Sequence, residues 1–123
     1  SLSLVSAQRL VRRLCEQCRK PVQLSPEQML AAGFAPEAVD GPRLAYRPVG
    51  CPACSNGYRG RTGIFQVMPV SDALRTLMLA DAPLTALETQ ARAEGLRSLR
   101  QAGLDKVLQG ATSLAEVLTA THG

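Results

Sequence analysis

The chain has 123 residues, a net charge of +4 and one histidine; 46% of its residues are hydrophobic, 20% charged and 3% aromatic. That balance is ordinary for a folded soluble protein of one domain or two small units sharing a boundary. No apolar run reaches the ~18 residues a membrane-spanning helix needs, and a charge this small points to a solvated basic surface before nucleic acid or lipid.

In chain order, Ala7, Leu10, Val11 and Leu14 recur at helical spacing, with Arg9, Arg12 and Arg13 on the other side. Read as a strand, the segment alternates poorly because Arg12 falls between Leu10 and Leu14. It starts abruptly, as a piece of a longer chain would. Arg19-Lys20-Pro21 reads as a turn. Ser25 as cap, Pro26 at the first helical position and Gln28 at the capping-box position open a helix that Gly33 closes. Ala35–Asp40 suits a short helical turn, Gly41-Pro42 breaks it, and Leu44–Val49 reads as extended. Asn56–Gly63 sets Gly57, Gly60 and Gly63 around Arg59 and Arg61. A phosphate cradle would need a following Lys-Ser or Lys-Thr at a helix start, so the stretch reads as a tight turn feeding a strand at Ile64–Met68, which Pro69 ends.

The remainder predicts four helices with short connections, forming a bundle. Ser71 or Asp72 caps the first, with Leu74, Leu77 and Met78 as its stripe; Leu84–Glu94 is the second, with Leu84, Leu87 and Ala91 inward and Gly95 as stop. Leu96–Gln109 is the third, burying Leu96, Leu99, Gly103, Leu104, Val107 and Leu108 before Gly110. Ser113-Leu114-Ala115-Glu116 is a capping box for the fourth, which packs Leu114, Val117 and Leu118.

The only four cysteines form two pairs, Cys15-Glu16-Gln17-Cys18 and Cys51-Pro52-Ala53-Cys54, with 32 residues between the inner two. Each pair bends two thiols round one ion, and two such knuckles make a zinc signature by spacing. Two disulfides are the first alternative, opposed by the lack of an apolar secretory core before Arg9. A redox Cys-x-x-Cys is the second, and it needs no second copy. Four cysteines fill the shell and leave no position for a catalytic water. His122, near the C-terminus, reads as a solvated tail residue.

Ala7-Gln8-Arg9-Leu10-Val11-Arg12-Arg13-Leu14-Cys15-x-x-Cys18 resembles the segment leading into the cysteine region of the type II secretion and type IV pilus assembly ATPases. So do Gly50-Cys51-x-x-Cys54-x-x-Gly57-Tyr58-Arg59-Gly60-Arg61-Thr62-Gly63-Ile64 and a third block, Glu94-Gly95, Leu99-Arg100, Gly103-Leu104-x-Lys106-Val107 and Gly110-x-Thr112-Ser113-Leu114-x-Glu116-Val117. Gln66-Val67-Met68-Pro69-Val70-Ser71 is similar to the pilus branch, the PilB-type extension motors, more than to the GspE-type secretion branch.

The resemblance implies an α+β fold: a tetracysteine zinc-bound β-hairpin excursion from the edge of a RecA-like core, followed by a small C-terminal helical bundle. Residues 8–14 then become a core strand paired with Ile64–Met68, with helix kept for the first few residues. The implied units are 1–14 (end of the core), 15–63 (zinc subdomain), 64–70 (returning strand) and 71–123 (helical subdomain). Ser71–Met78 is similar to a helix tied to motor action in retraction ATPases, and equally reads as an amphipathic core helix. No G-x-x-x-x-G-K-[ST] run occurs, so Mg-ATP is expected only in a full-length parent.

The expected function is that of a non-catalytic module of a hexameric pilus assembly motor, cytoplasmic and peripheral to the bacterial inner membrane. Its implied partners are other motor subunits, the inner-membrane platform protein or a PilZ-type regulatory adaptor. Structural zinc on Cys15, Cys18, Cys51 and Cys54 is the expected cofactor. Phe34 and Tyr46, in an excursion with little other core, and Arg59 and Arg61 are the candidate partner-binding residues. The alternatives are the same region of a type II secretion ATPase, and a zinc-ribbon nucleic-acid binder using Arg9, Arg12, Arg13, Arg59 and Arg61. Few aromatics and modest charge oppose the latter.

Overall fold

A computed structural model describes residues 3–95 and 98–122. Two long strands, β1 (Ser3–Leu14) and β4 (Tyr58–Pro69), pair antiparallel, with Arg9 opposite Ile64 and Arg12 opposite Arg61. Between them the chain makes an excursion: β2 (Lys20–Leu24), helix α1 (Pro26–Ala32), a single 3-10 turn at Pro36–Ala38, and β3 (Arg43–Arg47). β2 and β3 pair antiparallel as a second two-stranded sheet.

The helical spacing of the first segment is overturned: the chain is strand from Ser3 onward, and Ser1 and Leu2 lie outside the described residues. The ladder slips between Arg12 and Leu14. Two steps along β1 match three along β4 there, so the extra residue lies in β4; on the β1 side of this irregularity Val11 and Leu14 are both buried while Leu10 stays 60% exposed. Three-residue spacing thus arises without a helix. The turn expected at Arg19-Lys20-Pro21 is instead the start of β2. Pro21 donates no hydrogen bond, which a strand with an open edge tolerates.

Helix α1 has the expected capping box, Ser25 accepting from Gln28 N–H and Gln28 accepting from Ser25 N–H, and Gly33 ends it at φ 109°. After β4 come α2 (Asp72–Leu79, capped by Ser71), α3 (Leu84–Ala93), α4 (Leu99–Leu108, with a capping box on Ser98 and Gln101) and α5 (Leu114–Ala120). The expected inward Leu96 lies outside the described residues, and Leu84 is 69% exposed rather than inward.

The single expected bundle is replaced by two helix pairs. α2 packs on α3, whereas α4 and α5 pack on each other and on β4, β3 and β1. One core therefore joins Val11, Leu24, Met29, Phe34, Ala45 and Ile64 to Leu104, Val107 and Val117. Gly103 allows this approach: a Cβ there would lie 2.6 Å from Val117 Cγ1 and 3.0 Å from Ile64 Cδ1. The excursion and the last two helices are held by the same apolar burial. Among the described residues no helix is long and apolar enough to cross a membrane.

Candidate metal centre

β1 delivers Cys15 directly after Leu14, and Arg19 N–H to Cys15 C=O, 3.0 Å, closes the first knuckle. Cys54 N–H to Cys51 C=O, 3.2 Å, closes the second, and Cys15 N–H to Gly57 C=O, 2.9 Å, ties the two together. Gly57 has φ 95°, and a Cβ on it would lie 2.4 Å from Pro48 Cβ. Only glycine lets the return strand lie this close to the segment that enters the second knuckle.

The four sulfurs lie within 4.8 Å of one another. Cys15 and Cys51 Sγ are 3.8 Å apart, Cys18 and Cys54 3.7 Å, and Cys51 and Cys54 3.5 Å; none forms a disulfide. A tetrahedron with metal–sulfur bonds of about 2.3 Å has edges of about 3.8 Å, so this donor set fits a tetrahedral thiolate ion. Backbone amides also point at the sulfurs, Gly50 N–H to Cys18 at 3.4 Å and Cys51 N–H to Cys54 at 3.3 Å. Such donors favour thiolate over thiol.

The thiols influence one another's ionisation. Cys54 is lowered to about 7: burial alone would raise it, but hydrogen bonds from Cys51 and the amides of Cys51 and Gly57 prevail. Cys51 is pushed up to about 12: the Ala53 amide favours its thiolate, but its bond to Cys54, burial and the thiols of Cys15 and Cys18 outweigh that. Thiolates this close repel, and a divalent cation at their centre removes the conflict.

The other candidate residues separate. Phe34 is 9% exposed and inside the core, so the premise that the excursion lacks a core to bury it fails. Tyr46 is half-buried, its ring 4.4 Å beneath the Arg19 guanidinium. Arg59 and Arg61 are exposed on β4. His122 is exposed after α5 and does not join the sulfur cluster.

The residues that sequence reasoning missed surround the hairpin. Among the described residues, the outer edge of β1 has no strand beside it near the metal centre; the segment from Gly110 to Glu116 serves that edge instead. Glu116 Oε1 accepts Arg12 N–H at 2.9 Å, Thr112 Oγ1 donates to Arg12 C=O at 2.7 Å, and Leu14 N–H reaches Ala111 C=O at 2.9 Å. Arg19 Nη1 donates to Gly110 C=O at 2.6 Å, and the Tyr58 and Ser113 hydroxyls share a 2.7 Å bond. The capping box expected at Ser113 is therefore half formed. Ser113 accepts Glu116 N–H at 3.2 Å, but the Glu116 carboxylate goes to Arg12. The available signal was Thr112, a hydroxyl outside the helix that it precedes.

The family described as Type II/IV secretion system protein matches residues 1–119. The type IV pilus assembly ATPase PilB of Acinetobacter baylyi is 45% identical over 120 residues, 95% of this chain and 20% of that protein. PilB of Myxococcus xanthus is 45% identical over 96% of this chain and 21% of its own length. The type II secretion system ATPase E of Vibrio cholerae is 45% identical over 98% of this chain and 24% of that protein. The chain spans about a fifth to a quarter of the length of these relatives.

Proposed function

The chain belongs to the Type II/IV secretion system protein family, and from that premise we propose that it is the metal-bearing, non-catalytic docking module of a pilus assembly motor ATPase. The carrying observation is the cluster of four thiols within 4.8 Å, at the mouth of the loop between β1 and β4. A zinc ion bound by Cys15, Cys18, Cys51 and Cys54 closes that loop and removes its freedom from the unfolded chain.

β1 and β4 are strands of the parent's RecA-like core. In support, the face of the pair away from α4 and α5 exposes Leu10, Phe65 and Val67, an apolar strip suited to cover by the rest of a longer protein. Mg-ATP binds elsewhere in that parent, since this chain contains no phosphate-loop sequence. The module contacts neighbouring subunits, the inner-membrane platform protein or a PilZ-type adaptor, in the cytoplasm at the inner membrane, with Arg59 and Arg61 as exposed anchors. Gln66–Ser71 favours the pilus branch; the secretion branch is the second reading, favoured by 45% identity to a type II secretion ATPase.

The test uses the full-length motor carrying Cys51→Ser and Cys54→Ser. Pilin polymerisation should fall further than ATP hydrolysis. Unchanged polymerisation by a motor with a demetallated centre contradicts the reading.

A further inference from the structure

We infer that the Gly110–Glu116 segment braces the residues that flank the metal centre, so that ion binding and closure of this segment over the hairpin form one coupled equilibrium. The inference rests on the metal reading above.

The contacts flank the ligands. Leu14, bonded to Ala111, immediately precedes Cys15; Arg19, bonded to Gly110, immediately follows Cys18. Tyr58, bonded to Ser113, lies four residues beyond Cys54 on the strand that leaves the second knuckle. One seven-residue segment thus holds both sides of the first knuckle and the exit of the second. The edge of β1 leading to Cys15 has its backbone groups satisfied by Thr112, Ala111 and Glu116 rather than by another strand. Withdrawal of the segment would expose those groups and remove one of the two edges that hold the strand leading to Cys15, leaving the Cys15 N–H bond to Gly57 C=O.

Two further features fix the segment in place. Thr112 is fully buried and its hydroxyl has one partner, the Arg12 carbonyl. Gly110 has φ 79°, and a Cβ there would lie 2.7 Å from Arg19 Nη1 and 2.9 Å from the Tyr46 ring. The Arg19 guanidinium is therefore clamped between the Gly110 carbonyl and the Tyr46 ring. Coupling between two sites is reciprocal: if the segment strengthens ion binding, the ion strengthens closure of the segment by the same factor. Because the segment leads into α5, occupancy of the sulfur cluster is transmitted to the start of that helix. Thr112, Ser113 and Glu116 are positioning residues for the ion and do not touch it.

The experiment titrates the metal-free chain with cobalt(II), whose thiolate charge-transfer and tetrahedral ligand-field bands report the site. It then measures zinc affinity by competition. Thr112→Val should weaken zinc by about fivefold or more, and Thr112→Ser, which keeps the hydroxyl, should restore it. Leu74→Ala, in the α2–α3 pair and outside the shared core, should destabilise without changing zinc affinity. In the unmodified chain, zinc should slow amide exchange at Leu14 and across Gly110–Glu116 but not in α2 or α3; this arm decides the matter if Thr112→Val does not fold. Unchanged affinity in Thr112→Val, an equal loss in Leu74→Ala, or identical exchange with and without zinc overturns the inference while leaving the metal reading intact. An unmodified chain that gives no tetrahedral thiolate spectrum overturns the metal reading itself, and the inference with it.

Discussion

The carboxylate of Glu116 binds Arg12 twice: it accepts the backbone N–H at 2.9 Å and the guanidinium at 3.1 and 2.9 Å through its two oxygens. The Arg12 guanidinium also lies 4.1 Å over the Tyr58 ring. The Arg12 hydrogen bond holds the Glu116 carboxyl below its ordinary value despite partial burial. A depressed carboxyl contributes stability above its unfolded pKa of about 4.3, and loses it as pH falls through the folded value. Urea midpoints measured against pH should therefore show Glu116→Gln less stable than the parent by about 1 kcal/mol at neutral pH. That difference should shrink below about pH 4.3. A difference that does not change with pH would show that the charge contributes nothing.

Phe34 and Phe65 make a matched comparison, one buried in the shared core and one 47% exposed on the open face of the sheet. Phe34→Ala should cost about 3–5 kcal/mol in urea unfolding, since it leaves a cavity among Leu104 and its neighbours. Phe65→Ala should cost less than about 1 kcal/mol. Equal costs would mean that the core is not placed as described.

Gly57 and Gly60 both have positive φ, but only Gly57 faces backbone, with Val49 N 2.7 Å from a Cβ placed on it. Gly57→Ala should cost at least about 2 kcal/mol and weaken metal retention, because the displaced Pro48-Val49 leads directly to Cys51. Gly60→Ala, with no atom within 4 Å of its Cβ, should cost only the conformational term of about 1–2 kcal/mol. Thermal unfolding of the pair separates contact from backbone preference.

Local chemistry in the sequence predicted much of this fold. Ser25, Pro26, Gln28 and Gly33 bound α1, and Ser71 caps α2, because caps depend on neighbours only three or four residues away. The cysteine spacing likewise anticipated one cluster of four sulfurs. What failed depends on distant partners. Buried Val11 and Leu14 imitate helical spacing where β1 slips register against β4, and that slip is defined only by the ladder between the two strands. Phe34 looked like a partner anchor because the residues that bury it, Leu104 among them, arrive from α4. The carboxylate of Glu116 leaves its own helix cap for an arginine 104 positions earlier, a choice no local rule foresees.

The most direct test of the metal centre is native mass spectrometry of the chain purified without added metal. One zinc ion per chain is predicted, lost on acidification and absent from Cys51→Ser, with four alkylatable thiols after its removal. A folded, metal-free chain carrying two disulfides would contradict the account.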